Sequence, residues 1–175
     1  MGLFHGTNAA FASLIVRHGI RICLGRTVAD FGHGFYLTPD RQQAVDWAEL
    51  IASRGTRLPS ARLVNLLAEL GMDQQDYDAE RKRSAVVCFD ADLTDVKHLN
   101  GKIFDEPDRR WQQFVQICRA VQSITPPHDY DWVIGRASNA RQADSFAPTD
   151  LVQLSLHTTT AADTIMAKGM RVCLI

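Results

Sequence analysis

A chain of 175 residues, 46% hydrophobic and 22% charged, has the make-up of an ordered domain with a real core, which excludes a disordered polypeptide. A net charge of -1 excludes a uniformly basic, nucleic-acid-coating surface. No apolar run approaches a membrane span and no signal-type apolar segment precedes His5, so the expected location is the cytoplasm, or a target cytoplasm into which the chain is delivered.

In chain order, Gly2 to Phe4 leads into His5 as a short first strand. Ala9 to His18 places Phe11, Leu14 and Ile15 at helical spacing, with Thr7 or Asn8 as the cap and Gly19 just past the end. Ile20 to Leu24 reads as a strand or extended segment, and Gly25 to Ala29 as a loop. Phe35-Tyr36-Leu37-Thr38 is a short strand by its aromatic and β-branched content. Thr38-Pro39 then reads as N-cap and first position of a helix running to about Ser53, with Trp47 on it.

Residues 54–83 read as a variable, helical insertion that carries no motif. Within it, Pro59 to Leu70 forms a helix with Leu63, Leu66, Leu67 and Leu70 on one side, stopped by Gly71, and Asp73 to Arg83 reads as a solvated connector. Ser84 to Asp90 is a strand apolar enough to be buried on both faces. Pro107 to Val121 is a helix with Pro107 near its first position and a stripe of Trp111, Phe114, Val115 and Cys118. Asp129 to Ala137, closing around Gly135, and Asp150 to His157 are strands. Ala161 to Lys168 is a short helix and Arg171 to Ile175 a closing strand. Short strands separated by helices of unequal length, with no βαβ rhythm, predict one α+β domain over residues 1–175.

Cys23, Cys88, Cys118 and Cys173 lie far apart without C-x-x-C or zinc spacing, and read as small buried hydrophobes kept reduced. The histidines form neither H-x-H nor H-E-x-x-H, so no metal is expected.

The stretch Asp30-Phe31-Gly32-His33-Gly34-Phe35-Tyr36-Leu37-Thr38 is the most distinctive of the chain. Its Asp-Phe-Gly matches a protein-kinase triplet, yet the other kinase signatures are absent. Gly32-His33-Gly34 lacks the third glycine of a dinucleotide fingerprint, and no G-x-S-x-G elbow marks a hydrolase.

Taken with Leu3-Phe4-His5-Gly6-Thr7 and with Trp47 eleven residues after Tyr36, the stretch resembles the ADP-ribosyltransferase superfamily, in its diphtheria-toxin and poly-ADP-ribose-polymerase branch. Tyr130-Asp131-Trp132-Val133-Ile134-Gly135 and Gln153-Leu154-Ser155-Leu156-His157-Thr158 extend the likeness to a small, poorly characterised bacterial family of that superfamily.

The resemblance implies a split β-sandwich of two small sheets with flanking helices, NAD as co-substrate in the cleft between them, and no metal. It implies that His5 bonds a ribose hydroxyl, that the backbone of Gly6 holds the carboxamide, and that Thr7 adds a hydroxyl contact. Gly34 belongs to the cofactor loop, Tyr36 stacks on the nicotinamide and Trp47 closes the pocket wall. The late catalytic position, usually glutamate, is Gln153. An amide still accepts a hydroxyl hydrogen bond, but a unit charge at about 4 Å is worth roughly 4 kcal/mol at an effective dielectric of about 20, on the order of a thousandfold in rate. Asp30 and Asp131 are the candidates for restoring that charge.

The function the resemblance implies is mono-ADP-ribosylation of a macromolecular acceptor by a bacterial toxin held by a neutralising antitoxin protein; the acceptor is a protein or a nucleic acid, and the near-neutral charge tilts slightly towards protein. The alternative is a catalytically weakened nucleotide-binding or protein-interaction module on the same fold. The departure at Gln153 favours the module, and the intact His5-Gly6-Thr7 and Tyr36 favour the enzyme.

Overall fold

A computed structural model describes residues 2–25, 28–54, 60–121, 123–139 and 147–173. The chain is an α+β protein with two small sheets. The first has the order β1-β3-β7, from β1 (Leu3–Asn8), β3 (Ser84–Phe89) and β7 (Met170–Cys173), all antiparallel. The second has the order β2-β6-β5-β4, from β2 (Phe35–Leu37), β6 (Ala147–Leu156), β5 (Trp132–Asn139) and β4 (Gly101–Ile103).

β3 is the central strand of the first sheet and is buried along nearly its whole length, as its unbroken apolar run predicts. The main core lies between the sheets, where Leu3, Val87 and Phe89 meet Phe35, Leu37, Trp132, Ile134, Leu154 and Leu156. On the far face of the second sheet, α6 (Arg109–Ala120) packs Trp111 and Val115 against Phe31, Phe104 and Val133. On the far face of the first, α2 (Arg41–Arg54) packs Ala44, Val45 and Ala48 against Val86 and Cys88.

Several boundaries follow their sequence signals. α1 (Ala9–His18) is capped by the Asn8 side chain, which accepts from the Phe11 amide, and ends at Gly19 with φ +80°. α3 (Ser60–Glu69) stops before Gly71 at φ +67°, with Leu63, Leu66, Leu67 and Leu70 buried. α7 (Thr159–Met166) is capped by Thr158. The expected helix start at Pro59 and strand end at Ile175 lie outside the described residues.

Other expectations need correction. Ile20 to Leu24 is not a strand but holds a 3-10 turn at Ile22–Leu24. The cap of α2 is Asp40, whose carboxylate accepts from the Gln42 amide at 2.8 Å; Thr38 is held by backbone bonds to Phe4 instead. A carboxylate is the stronger acceptor for orphan amides at a helix start. Asp108 likewise caps α6, which starts at Arg109, so Pro107 precedes the cap and is not at the first helical position.

Asp73 to Arg83 contains α4 (Gln74–Glu80), whose Tyr77 is buried with Leu63, Leu66 and Leu67 against Ala10 and Leu14 of α1. One buried aromatic is enough to dock a helix whose other positions are polar. β5 runs on past Gly135 to Asn139, with a bulge between Arg136 and Ser138. The segment after β3 forms a short helix, α5 (Leu93–Val96), and then β4, which pairs parallel to β5. β4, α6 and β5 therefore make one βαβ unit that the strand rhythm did not announce.

The cysteines are not four free thiols. Cys88 and Cys173 are joined as a disulfide across adjacent strands, 85 residues apart in sequence, and Cys23 is exposed. Only Cys118 is free and buried as expected, its thiol pushed up to about 12 chiefly by burial. Among the described residues no helix is long and apolar enough to cross a membrane.

Candidate functional site

The site forms where β1 of one sheet parts from β2 of the other. Phe4 and Thr38 exchange two backbone hydrogen bonds, Phe4 N–H to Thr38 C=O at 2.8 Å and Thr38 N–H to Phe4 C=O at 2.9 Å. Antiparallel pairing carried two residues further would join Gly6 to Tyr36. It does not continue. The Tyr36 carbonyl instead accepts from Nδ1–H of His5 at 2.7 Å, so a side chain takes the place of the ladder.

In an antiparallel strand, residues two apart turn their N–H and C=O to the same edge. The backbone of Gly6 therefore faces the parted edge, and among the described residues no strand pairs with it there. The glycine itself answers to helix packing. A Cβ at Gly6 would collide with the Ala44 carbonyl and lie 3.0 Å from the Ala48 amide, both in the backbone of α2. That close approach sets α2, and with it the 40% exposed ring of Trp47, beside the edge strand. Thr7, on the same strand, is buried.

His5 stacks on Phe35 with ring centroids 4.2 Å apart. Burial lowers its pKa to about 4, against a smaller opposing effect of the Tyr36 carbonyl. The ring is thus neutral at pH 7. With Nδ1–H committed to a carbonyl, Nε2 carries the lone pair and is an acceptor.

Tyr36 leaves β2 on the opposite face from Phe35 and is only half-buried. Its hydroxyl accepts from the Phe31 amide at 3.0 Å and donates to the Gly32 carbonyl at 2.7 Å. Gly32 sits at φ +86°, which the tight return of this loop requires and which L side chains rarely adopt. Gly34 lies against the Leu156 carbonyl and the His157 ring, so a side chain there would push β6 away. Behind it, the His157 Nδ1–H donates to the His33 carbonyl at 2.8 Å, and His128 Nε2–H donates to the Phe31 carbonyl at 3.0 Å. The loop is held by both of its flanks.

Gln153 lies two residues from Ser155, the partner of Tyr36 in β2, and therefore shares the face of Tyr36. Its Nε2 donates to Asp30 Oδ2 at 2.7 Å. Asp30, 5% exposed, also accepts from Arg119 Nε at 2.7 Å, the Ser138 amide at 2.7 Å and Ser138 Oγ at 2.5 Å. Asp30 begins the loop that grips Tyr36, which ties Gln153, Asp30 and Tyr36 to one face of the second sheet; His5 meets Tyr36 only at its backbone carbonyl, its ring lying on the Phe35 side.

Asp131 has no part in that group. Its carboxylate accepts from Thr158 Oγ1 at 2.7 Å and the Asn100 amide at 3.0 Å, bracing strand ends. Neither aspartate restores a free charge: Asp131 is a strut, and Asp30 is neutralised by Arg119. Arg119 and Ser138 are members of the site that the sequence did not single out. Each is an ordinary residue of a helix or strand, and only the packing of α6 over β5 brings them to Asp30. Among the described residues, no group of three or more His, Cys, Asp or Glu side chains could hold a metal ion.

The model of one protein family, described as "Protein of unknown function (DUF3990)", matches residues 1–168. No curated protein and no solved structure matches the chain.

Proposed function

The chain belongs to the DUF3990 family, and we propose that this member is an NAD-dependent mono-ADP-ribosyltransferase that modifies a macromolecular acceptor. On this reading the two sheets are the halves of an ADP-ribosyltransferase-like split β-sandwich, and the cleft is the place where β1 and β2 part. The observation that carries the reading is the parted edge at Gly6. A backbone N–H and C=O turned to one side, without a strand partner among the described residues, match the C=O and NH2 of a primary carboxamide such as that of nicotinamide.

The other residues have the chemistry the role needs. Neutral His5 accepts from a ribose hydroxyl through Nε2, and Thr7 stands on the same strand. Tyr36 stacks on the leaving ring, and the exposed Trp47 closes the wall. Gln153 accepts the second ribose hydroxyl. The bond between ribose C1′ and the nicotinamide nitrogen breaks and nicotinamide takes the electron pair. The acceptor's nucleophile then bonds to C1′ and gives up its proton. Holding both ribose hydroxyls and the ring fixes the geometry in which positive charge develops on the ribose. On the same reading, which here follows the resemblance, the protein is a toxin acting in a cytoplasm and held by a neutralising antitoxin protein; a net charge of -1, which gives no broad nucleic-acid surface, tilts the acceptor towards protein.

A second reading draws on Asp30. Its charge is committed to Arg119, so among the described residues Asp30 brings no unbalanced carboxylate to the developing cation, as suits a nucleotide-binding or interaction module of weak activity. Calorimetric titration with NAD beside an assay of nicotinamide release, with and without cell extract, separates the two. Binding with release supports the transferase, and binding without release supports the module. Absence of NAD binding sinks the transferase and leaves only the interaction module.

A further inference from the structure

We propose that Asp30 is a positioning residue that sets the direction of the Gln153 amide, so that the site presents a hydrogen-bond acceptor without a charge. A carboxylate only accepts hydrogen bonds, so the end of Gln153 that meets Asp30 Oδ2 at 2.7 Å is the NH2 group. Oε1 is then turned away from Asp30, as the acceptor end. Asp30 is itself fixed by Arg119 from α6 and by Ser138 from β5, and it cannot swing. The inference rests on the reading that Gln153 faces the ligand.

The charges around this group decide what substitutions do. Arg119 ion-pairs with Asp30, Cys118 beside it on α6 stays a neutral thiol, and Gln153 and Ser138 bring no charge. His128, against the same loop, is neutral at pH 7, its pKa lowered chiefly by burial. Asp30 and Arg119 thus bring one carboxylate and one guanidinium to this group.

Read from the sequence alone, Gln153→Glu adds the carboxylate that the superfamily carries. In this site it places a second carboxylate at hydrogen-bond distance from the first. Two carboxylates that close share a proton, and one of them has its pKa strongly raised. The Gln153→Glu variant is thus expected to be destabilised at pH 8 and to recover as the pH falls towards 5. Asp30→Asn lets Gln153 turn over and donate outwards. In the double variant Asp30→Asn, Gln153→Glu, the amide and the carboxylate have changed places. The amide introduced on the loop donates to the carboxylate introduced on β6 and the single charge has moved from one to the other, while the Ser138 amide loses the acceptor it had at Oδ2, so the recovery is partial.

The test is thermal unfolding of wild type and the three variants from pH 5 to pH 8, with NAD titration on the same samples. Greater loss of melting temperature in Gln153→Glu at pH 8 than at pH 5, together with recovery in the double variant, supports the positioning role. A Gln153→Glu variant whose loss does not depend on pH overturns it, even should Asp30→Asn fail to fold. A double variant no more stable than the sum of the singles overturns it as well. The expected NAD affinity falls about tenfold or more in both singles and recovers in the double. Equal NAD affinity in all four overturns the positioning role at the ligand, whatever their stability. Should no protein of the set bind NAD while the pH coupling appears, the proposed function fails and the Asp30–Gln153 pairing stands.

Discussion

Lowering the pH from 7 to 5 should destabilise the protein, because histidines packed in its interior are held neutral. His157 is 8% exposed, and burial lowers its pKa to about 4; His5 is lowered to about 4 by the same cause. Unfolded, each returns to about 6.5. The folded state therefore binds fewer protons than the unfolded state between those values. The stability is fully present above about pH 6.5 and is lost as pH falls towards 4.

At pH 5 the loss is about 2 kcal/mol for His157. The part-exposed His5 contributes less, being better screened. His128, lowered by burial, acts in the same direction. A total of roughly 3–4 kcal/mol moves the melting temperature of a domain this size by about 10 °C. Urea unfolding of wild type and His157→Gln at pH 7 and pH 5, at fixed ionic strength, measures it. Glutamine keeps one donor for the His33 carbonyl and one acceptor for Ser155 while removing the titration. Wild-type stability that is equal at both pH values, or an unchanged pH slope in His157→Gln, would refute the reasoning.

Outcomes are also expected for three further variants. Trp47→Ala should cost under about 1 kcal/mol of stability because the ring is 40% exposed, while Tyr36→Phe, which leaves the Phe31 amide and Gly32 carbonyl without that hydroxyl, should cost roughly 1–3 kcal/mol; denaturant unfolding measures the stability of both, and calorimetry should find NAD binding weakened in both. Cys88→Ser should lower stability by roughly 2–4 kcal/mol under oxidising conditions and by much less with reductant present, read from paired denaturation curves.

The sequence by itself determined the elements whose signals are local. α1 is written between Asn8 and Gly19, α3 ends ahead of Gly71, and β3 is an unbroken apolar run. These need only a cap, a positive φ or a burial pattern, all of which a few neighbouring residues specify. His5, Gly6, Tyr36 and Gln153 were singled out through the resemblance that their motifs carry.

What joins them was not legible. That His5 takes the Tyr36 carbonyl from the strand ladder depends on how two sheets part, and the close approach of α2 to Gly6 depends on helix packing. Asp30 could be picked out in the sequence, but its partners Arg119, Ser138 and Gln153 lie 89, 108 and 123 residues away, and no local pattern encodes such distances. The same holds for the Cys88–Cys173 disulfide and for the pairing of β4 with β5. Hydrogen-bond partners are chosen by proximity in the folded state, and proximity between distant segments is a property of the assembled core alone.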